Sequence, residues 1–184
     1  FKNEKQATAM NTTIAHLYSD CRDPPDDFLG FKTTKELHRD CMSKDFATKV
    51  AKYVVKKYSE LVLSEEFQRL QESPSTKLLQ LRHSQLELGK LLGEGSFSDV
   101  FEIKKSLSED IQPNRHVVKM LRRRILDRPT LFAASAVGLA KEGAVLASLN
   151  HKHIIHIQAL SHSGVSTYAT GRNDAFFIVL DRLE

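Results

Sequence analysis

The sequence predicts an α+β protein: a helical N-terminal extension over residues 1–85, partly disordered at its start, followed by a sheet-rich region over residues 86–184. Three observations predict it. Phe46, Val50, Val54 and Tyr58, with Leu61 and Val62 after them, recur every three to four positions, which marks one face of an amphipathic helix. Past residue 85 the apolar residues gather in short runs separated by glycine or polar turns, as strands do. Residues 129–149 form a single long helical stretch among those runs, with Pro129 suited to its first turn.

Taken in order, residues 1–32 have weak periodicity, and Asp23-Pro24-Pro25-Asp26-Asp27 is a turn or linker, since paired prolines forbid helix. Thr33 and Glu36 offer a capping box. Ser64 is placed to cap a short helix over residues 65–70, with Glu65 and Glu66 favourable at its positive end, and Ser73-Pro74-Ser75 stops it. Strands are expected over Leu86–Leu92, Val100–Ile103, His116–Leu121, Ile154–Leu160 and Phe176–Leu180, with the long helix between the third and fourth.

Composition limits the function classes. A net charge of +4, from 27 basic and 23 acidic residues, is too mild to argue for nucleic acid. No run of apolar residues approaches the ~18 of a membrane span, and no signal peptide opens the chain, so no membrane partner is expected. Cys21 and Cys41 do not make a disulfide framework, which points to a reducing, intracellular setting and to the cytoplasm. The chain opens on Phe1 and stops within an apolar strand pattern, so it is read as a fragment of a longer protein.

The chemistry centres on Gly93-Glu94-Gly95-Ser96-Phe97-Ser98-Asp99-Val100. Glycines at 93 and 95 allow close approach of backbone to a phosphate. A dinucleotide fold needs a helix after such a loop, but here the strand Val100-Phe101-Glu102-Ile103 follows. A P-loop is excluded because no Gly-Lys-Ser/Thr follows. The loop is therefore a glycine-rich hairpin.

At this point the chain resembles the small lobe of the protein kinase family over residues 86–184. Leu92 to Val100 matches the glycine-rich loop, Val117-Val118-Lys119 the lysine strand, and Glu142 with Leu146, Leu149 and His151 the αC helix and its exit. Phe177 to Leu183 matches the fifth strand and hinge. Two departures stand out: Ser98 replaces the third glycine, and the segment from Lys119 to Glu142 is a few residues long. The resemblance implies a five-stranded, mostly antiparallel sheet with one αC helix, truncated at the hinge. It implies that backbone N–H groups of Glu94, Gly95, Ser96, Phe97 and Ser98 cover the ATP phosphates. Lys119 would meet the α and β phosphates, and Glu142 would hold Lys119 in place. Leu92, Val100 and Val117 would sandwich the adenine, with Leu180 as gatekeeper and the backbone of Asp181 and Leu183 at the adenine edge. Leu146 and Ile157 would join the apolar column that couples helix position to activity.

The function implied is ATP binding by a protein kinase small lobe, in a parent that transfers the γ-phosphoryl group to protein Ser or Thr. Magnesium ligands and the catalytic Asp are expected in a large lobe this chain lacks, so it should be inactive alone. The alternative is a pseudokinase or regulatory scaffold that binds nucleotide or a partner without chemistry. His38-Arg39-Asp40 imitates the kinase catalytic loop, yet it precedes the glycine loop and has Asp45 where an Asn belongs, so it is read as a chance match on a helix. His151, His153 and His156 are read as loop and strand residues, and His16, Cys21, His38 and Cys41 lack standard finger spacing; no metal site is assigned. Arg122-Arg123-Arg124 with Arg128 is read as a solvated loop, or more sharply as a site for an acidic partner. Residues 33–72 are a candidate interaction module, and the alternative is that their amphipathic helix packs on the sheet-rich region.

Overall fold

The computed structural model describes residues 44–70 and 78–183. His38-Arg39-Asp40, the Thr33–Glu36 capping box and the His16, Cys21, His38 and Cys41 set lie outside those residues. Helix α1 spans Lys44–Val62 and α2 Glu65–Leu70; strands follow as β1 Leu79–Leu81, β2 Leu86–Glu94, β3 Ser98–Ser106 and β4 His116–Leu121. Helix α3 spans Pro129–Ala147, then come β5 Ile157–Ser161 and β6 Phe177–Asp181. Each strand after residue 85 and helix α3 fall where the sequence places them, with β5 starting three residues late; the 3₁₀ turns Arg123–Asp127 and Gly164–Thr170 are additional.

The strands make one sheet in the order β1-β5-β6-β4-β3-β2. All pairings are antiparallel except β1 with β5. The five-strand expectation is thus corrected to six. The additional strand, Leu79–Leu81, runs parallel to Ala159–Ser161 and comes from residues assigned to the N-terminal extension. Three residues carry too little period to be read as a strand; pairing with β5 and burial of Leu81 create it.

Strand β4 lies fourth in the sheet and is covered on both faces, which explains its nearly unbroken apolar run. Val117 and Leu121 face a core shared with α1 and α3. Val118 and Met120 face a second core with Leu81, Leu86, Ile103, Ile111, Phe177 and Val179. Helix α1 packs rather than projects: Phe46, Val50, Ala51 and Val54 enter the first core with Phe132, Ala133, Ala136 and Ala140 of α3. Aromatic rings link this layer, with Phe132 6.4 Å from Phe46 and 5.8 Å from Tyr168, and Tyr168 5.5 Å from Phe176. Ser64 caps α2 as its position suggests, its hydroxyl accepting from the Phe67 N–H at 3.3 Å. Leu61 and Phe67 then cover Ala144 and Val145 at the far end of α3.

Helix α3 is apolar enough that Thr130–Ala147, with mean hydropathy 1.3, meets the length and composition of a membrane span. In this fold 61% of that window is buried against the sheet and the other helices, as in the core helix of a globular domain. Gly143 brings the helix close to the sheet. A Cβ there would stand 3.2 Å from Ile178 Cγ2 and 3.3 Å from Leu160 Cδ2.

Candidate functional site

The register of the sheet decides which residues meet. Gly93 on β2 lies opposite Val100 on β3, Val100 opposite Lys119 on β4, and Lys119 opposite Ile178 on β6. Val117 lies opposite Leu180, which in turn lies opposite Ile157. Directly paired residues share a face, and positions two apart on a strand do as well. Gly93, Val100, Val117, Lys119 and Leu180 therefore stand on one face of the sheet, the face that carries α3. Val117 and Leu180 are buried, and Val100 is partly so. Leu92 is more than a third exposed, on the strand beside them.

Helix α3 adds the acid. Lys119 Nζ donates to Glu142 Oε1 at 2.5 Å, across 23 residues of sequence, with both side chains about three-quarters buried. A charged pair at this depth fixes two flexible side chains in one geometry. The segment between them holds a 3₁₀ turn, Arg123–Asp127, which buries Ile125 ahead of the helix. Leu146 and Ile157 both belong to the first core, Ile157 buried within it and Leu146 packed at its margin.

The hairpin tip is tightly made. The Gly95 N–H donates to the Ser98 carbonyl at 2.7 Å, so this amide is committed within the turn. A Cβ at Gly95 would lie 2.9 Å from that same carbonyl oxygen, a contact real side chains do not make. Gly95 is thus required by the turn itself. Gly93 is different: a Cβ there would find its nearest neighbour, Val100 Cβ, at 3.9 Å. Nothing among the described residues crowds it. Glycine inside a strand costs roughly 0.5–1 kcal/mol against alanine, and where the protein leaves the space open, approach of a ligand is an established reason for it.

Arg122 is the residue that sequence reasoning misplaced. Its side chain is only 11% exposed, whereas Arg123, Arg124 and Arg128 are exposed as a solvated loop would be. It turns back onto the hairpin, with Nη1 donating to the Gly95 carbonyl at 2.8 Å. Its Nη2 lies 2.9 Å from Glu94 Oε2 and its Nε 3.0 Å from Asp99 Oδ1. The Asp99 contact is an ion contact rather than a directed hydrogen bond. Burial pushes the Asp99 carboxyl above its ordinary range; Arg122 pulls it down and Glu94 pushes it further up.

At the other end of β4, Asp181 accepts from Gln158 Nε2 at 2.6 Å and lies 3.2 Å from His156 Nδ1 and 3.9 Å from His116 Nε2. His116 Nδ1 accepts from the Gln112 N–H at 3.0 Å. Burial lowers the His116 pKa, against the pull of Asp181 and with help from Arg115. The Asp181 N–H donates to the His156 carbonyl. Leu183 is 75% exposed. His151, placed by the resemblance at the helix exit, is exposed; its Nδ1 accepts from the His153 N–H and its carbonyl from the Ile154 N–H.

A cavity of about 280 Å³ opens on a different side of α3, between Val55, Tyr58, Ala140, Ala144, Leu160 and Val165. It contains none of the residues above and is separate from the Lys119 site. Comparison with protein-family models and with curated proteins gives no match for the chain.

Proposed function

We propose that the chain is an ATP-binding small lobe of protein-kinase type, and that the protein it belongs to transfers the γ-phosphoryl group of ATP to Ser or Thr of protein substrates. The observation that carries the reading is the ion pair between Lys119 and Glu142, set on the same sheet face as Gly93, Val100, Val117 and Leu180. A lysine free to swing is a poor phosphate ligand, because holding it costs side-chain entropy at each binding event. Glu142 meets that cost in advance, so the ammonium is already oriented when a triphosphate arrives.

The residues fit the group. Lys119 supplies one fixed positive charge for the α and β phosphates, and Gly93 leaves open the space a phosphate needs. Val100, Val117 and Leu180 offer an apolar floor for a flat base, and the segment after β6 supplies backbone for its polar edge. ATP, when bound with Mg²⁺, supplies the transferable phosphoryl group. The metal ligands and the Asp that takes the substrate proton belong, in this reading, to a large lobe. Because Glu142 rides on α3, any displacement of that helix removes the orienting partner of Lys119, so helix position would gate activity.

The test is nucleotide binding by the chain, followed by phosphotransfer in the protein that carries it. Lys119→Met should melt like the wild type yet bind ATP more weakly, and phosphotransfer should fall on the order of a hundredfold or more. A wild-type chain that does not bind ATP, or a Lys119→Met protein with undiminished transfer, defeats the proposal.

A further inference from the structure

We infer that Arg122 is a positioning residue that fixes the glycine hairpin and neutralises its two acids, so that the tip can accept a triphosphate. This rests on the reading of the site as an ATP site.

The argument begins with charge. Glu94 and Asp99 pair across the hairpin next to its tip, on the face opposite Lys119, and two carboxylates one residue from the phosphate-facing positions Gly93 and Val100 repel an approaching anion through the hairpin. Arg122 is placed between them, 2.9 Å from one and 3.0 Å from the other, and nearly shielded from water. Its cation offsets Asp99 where both groups are shielded from water, and it reaches out to the more exposed Glu94. Geometry adds a second role. The same guanidinium donates to the Gly95 carbonyl, and the Arg122 N–H donates to the Phe97 carbonyl at 2.9 Å. One residue, just past the end of β4, thus holds residues 94, 95, 97 and 99 of the hairpin. A tip built on glycine has more conformational freedom to lose than any other, and these bonds remove it before ligand binds. Only a planar fork with five donors reaches one carbonyl and two carboxylates in different directions; a lysine is a point charge on a flexible stem. Arg122 sits three residues beyond Lys119, so the strand that carries the phosphate-binding ammonium also anchors the loop above it.

The experiment compares ATP with adenosine, which shares the base but lacks the phosphates. Affinities are read by displacement of a fluorescent ATP analogue from the full chain, in wild type and Arg122→Gln. The expected result is at least about a tenfold loss for ATP, the worth of one or two charge-assisted hydrogen bonds, with adenosine unchanged. Adding Glu94→Gln and Asp99→Asn to Arg122→Gln should restore part of the ATP affinity, which a merely structural role would not do. Equal losses for ATP and adenosine, or no loss for either, overturn the inference. Should Arg122→Gln fold poorly, Arg122→Lys keeps the charge and loses the fork, and its ATP affinity should fall between the two; wild-type affinity there overturns the geometric half. Amide hydrogen exchange over residues 94–98 without nucleotide reads the clamp by itself, and faster exchange in Arg122→Gln is expected. If the wild type binds neither ATP nor adenosine while exchange still accelerates, the ATP reading has failed and the clamp has not. If ATP binds normally and exchange is unchanged by the substitution, the clamp has failed and the ATP reading stands.

Discussion

The glycine hairpin and the helical layer present the candidate site with two kinds of order. The hairpin tip is exposed and is held by ions and backbone hydrogen bonds, chiefly through Arg122. Helix α3 is held by apolar burial, with Phe132, Ala133, Ala136 and Ala140 packed between α1 and the sheet. The first kind is directional, short in range and sensitive to charge; the second is non-directional and cooperative. Glu142 inherits its precision from packing, while the loop amides inherit theirs from an arginine. Disturbing the core should therefore move the ion pair without loosening the hairpin, and disturbing Arg122 should do the reverse.

The largest expected effect comes from opening the helical layer. Phe132→Ala removes a ring that is 2% exposed and touches both Phe46 and Tyr168, and should cost about 3–5 kcal/mol. Chemical denaturation checks the loss, and a change under about 1 kcal/mol would show that α1 and α3 do not share a core. A smaller effect, aimed at the ion pair, comes from Gly143→Val. The added methyls meet Ile178 and Leu160, and should push α3 outward at a cost of about 1–3 kcal/mol. ATP binding should weaken with it, while hydrogen exchange at residues 94–98 stays as in wild type; faster exchange there would erase the distinction between the two regions.

The smallest effect is acid sensitivity at the far end of β4. The His116 pKa is lowered by burial, so below its ordinary value of 6.5 the unfolded chain takes up a proton that the folded chain resists. The unfolded state then binds more protons, and stability falls as pH falls through the window between 6.5 and the lower folded value. One such proton contributes at most about 1.4 kcal/mol per pH unit. Denaturation at a series of pH values should give a shallower acid slope for His116→Asn than for wild type, and identical slopes would remove His116 as the source.

Most of the fold was legible because its elements carry strong local periods. Helix α1 shows its buried stripe in the spacing of Phe46, Val50 and Val54, and β4 shows burial on two faces in its continuous apolar run. Strand β1 was not legible, since three residues have no period and its pairing with β5 is contact made about 80 positions away. The turn Gly164–Thr170 was equally hidden: its sequence is polar and small, yet Tyr168 is fully buried in the aromatic cluster. At the candidate site, motif order selects Lys119 and Glu142, and the fold pairs those two side chains. Arg122 was missed because three consecutive arginines look alike until a tertiary contact singles one out. Gly143 was missed because glycine in a helix looks only like lost propensity until the sheet lies against it.

Strand β1 also bears on how copies of this chain meet one another. A sheet ends in rows of unpaired N–H and C=O groups that can template strands from other molecules. Here one margin is β1, only three residues long and followed by Arg82 and His83. The opposite margin is β2, which is longer but is broken by register shifts at three places and carries Glu87, Lys90 and Glu94. Shortness guards one side, and irregularity with charge guards the other. A chain cut between β1 and β2 would lose the first guard and leave all of β5 open to a neighbour. The three residues of β1 thereby defend the sheet against self-association.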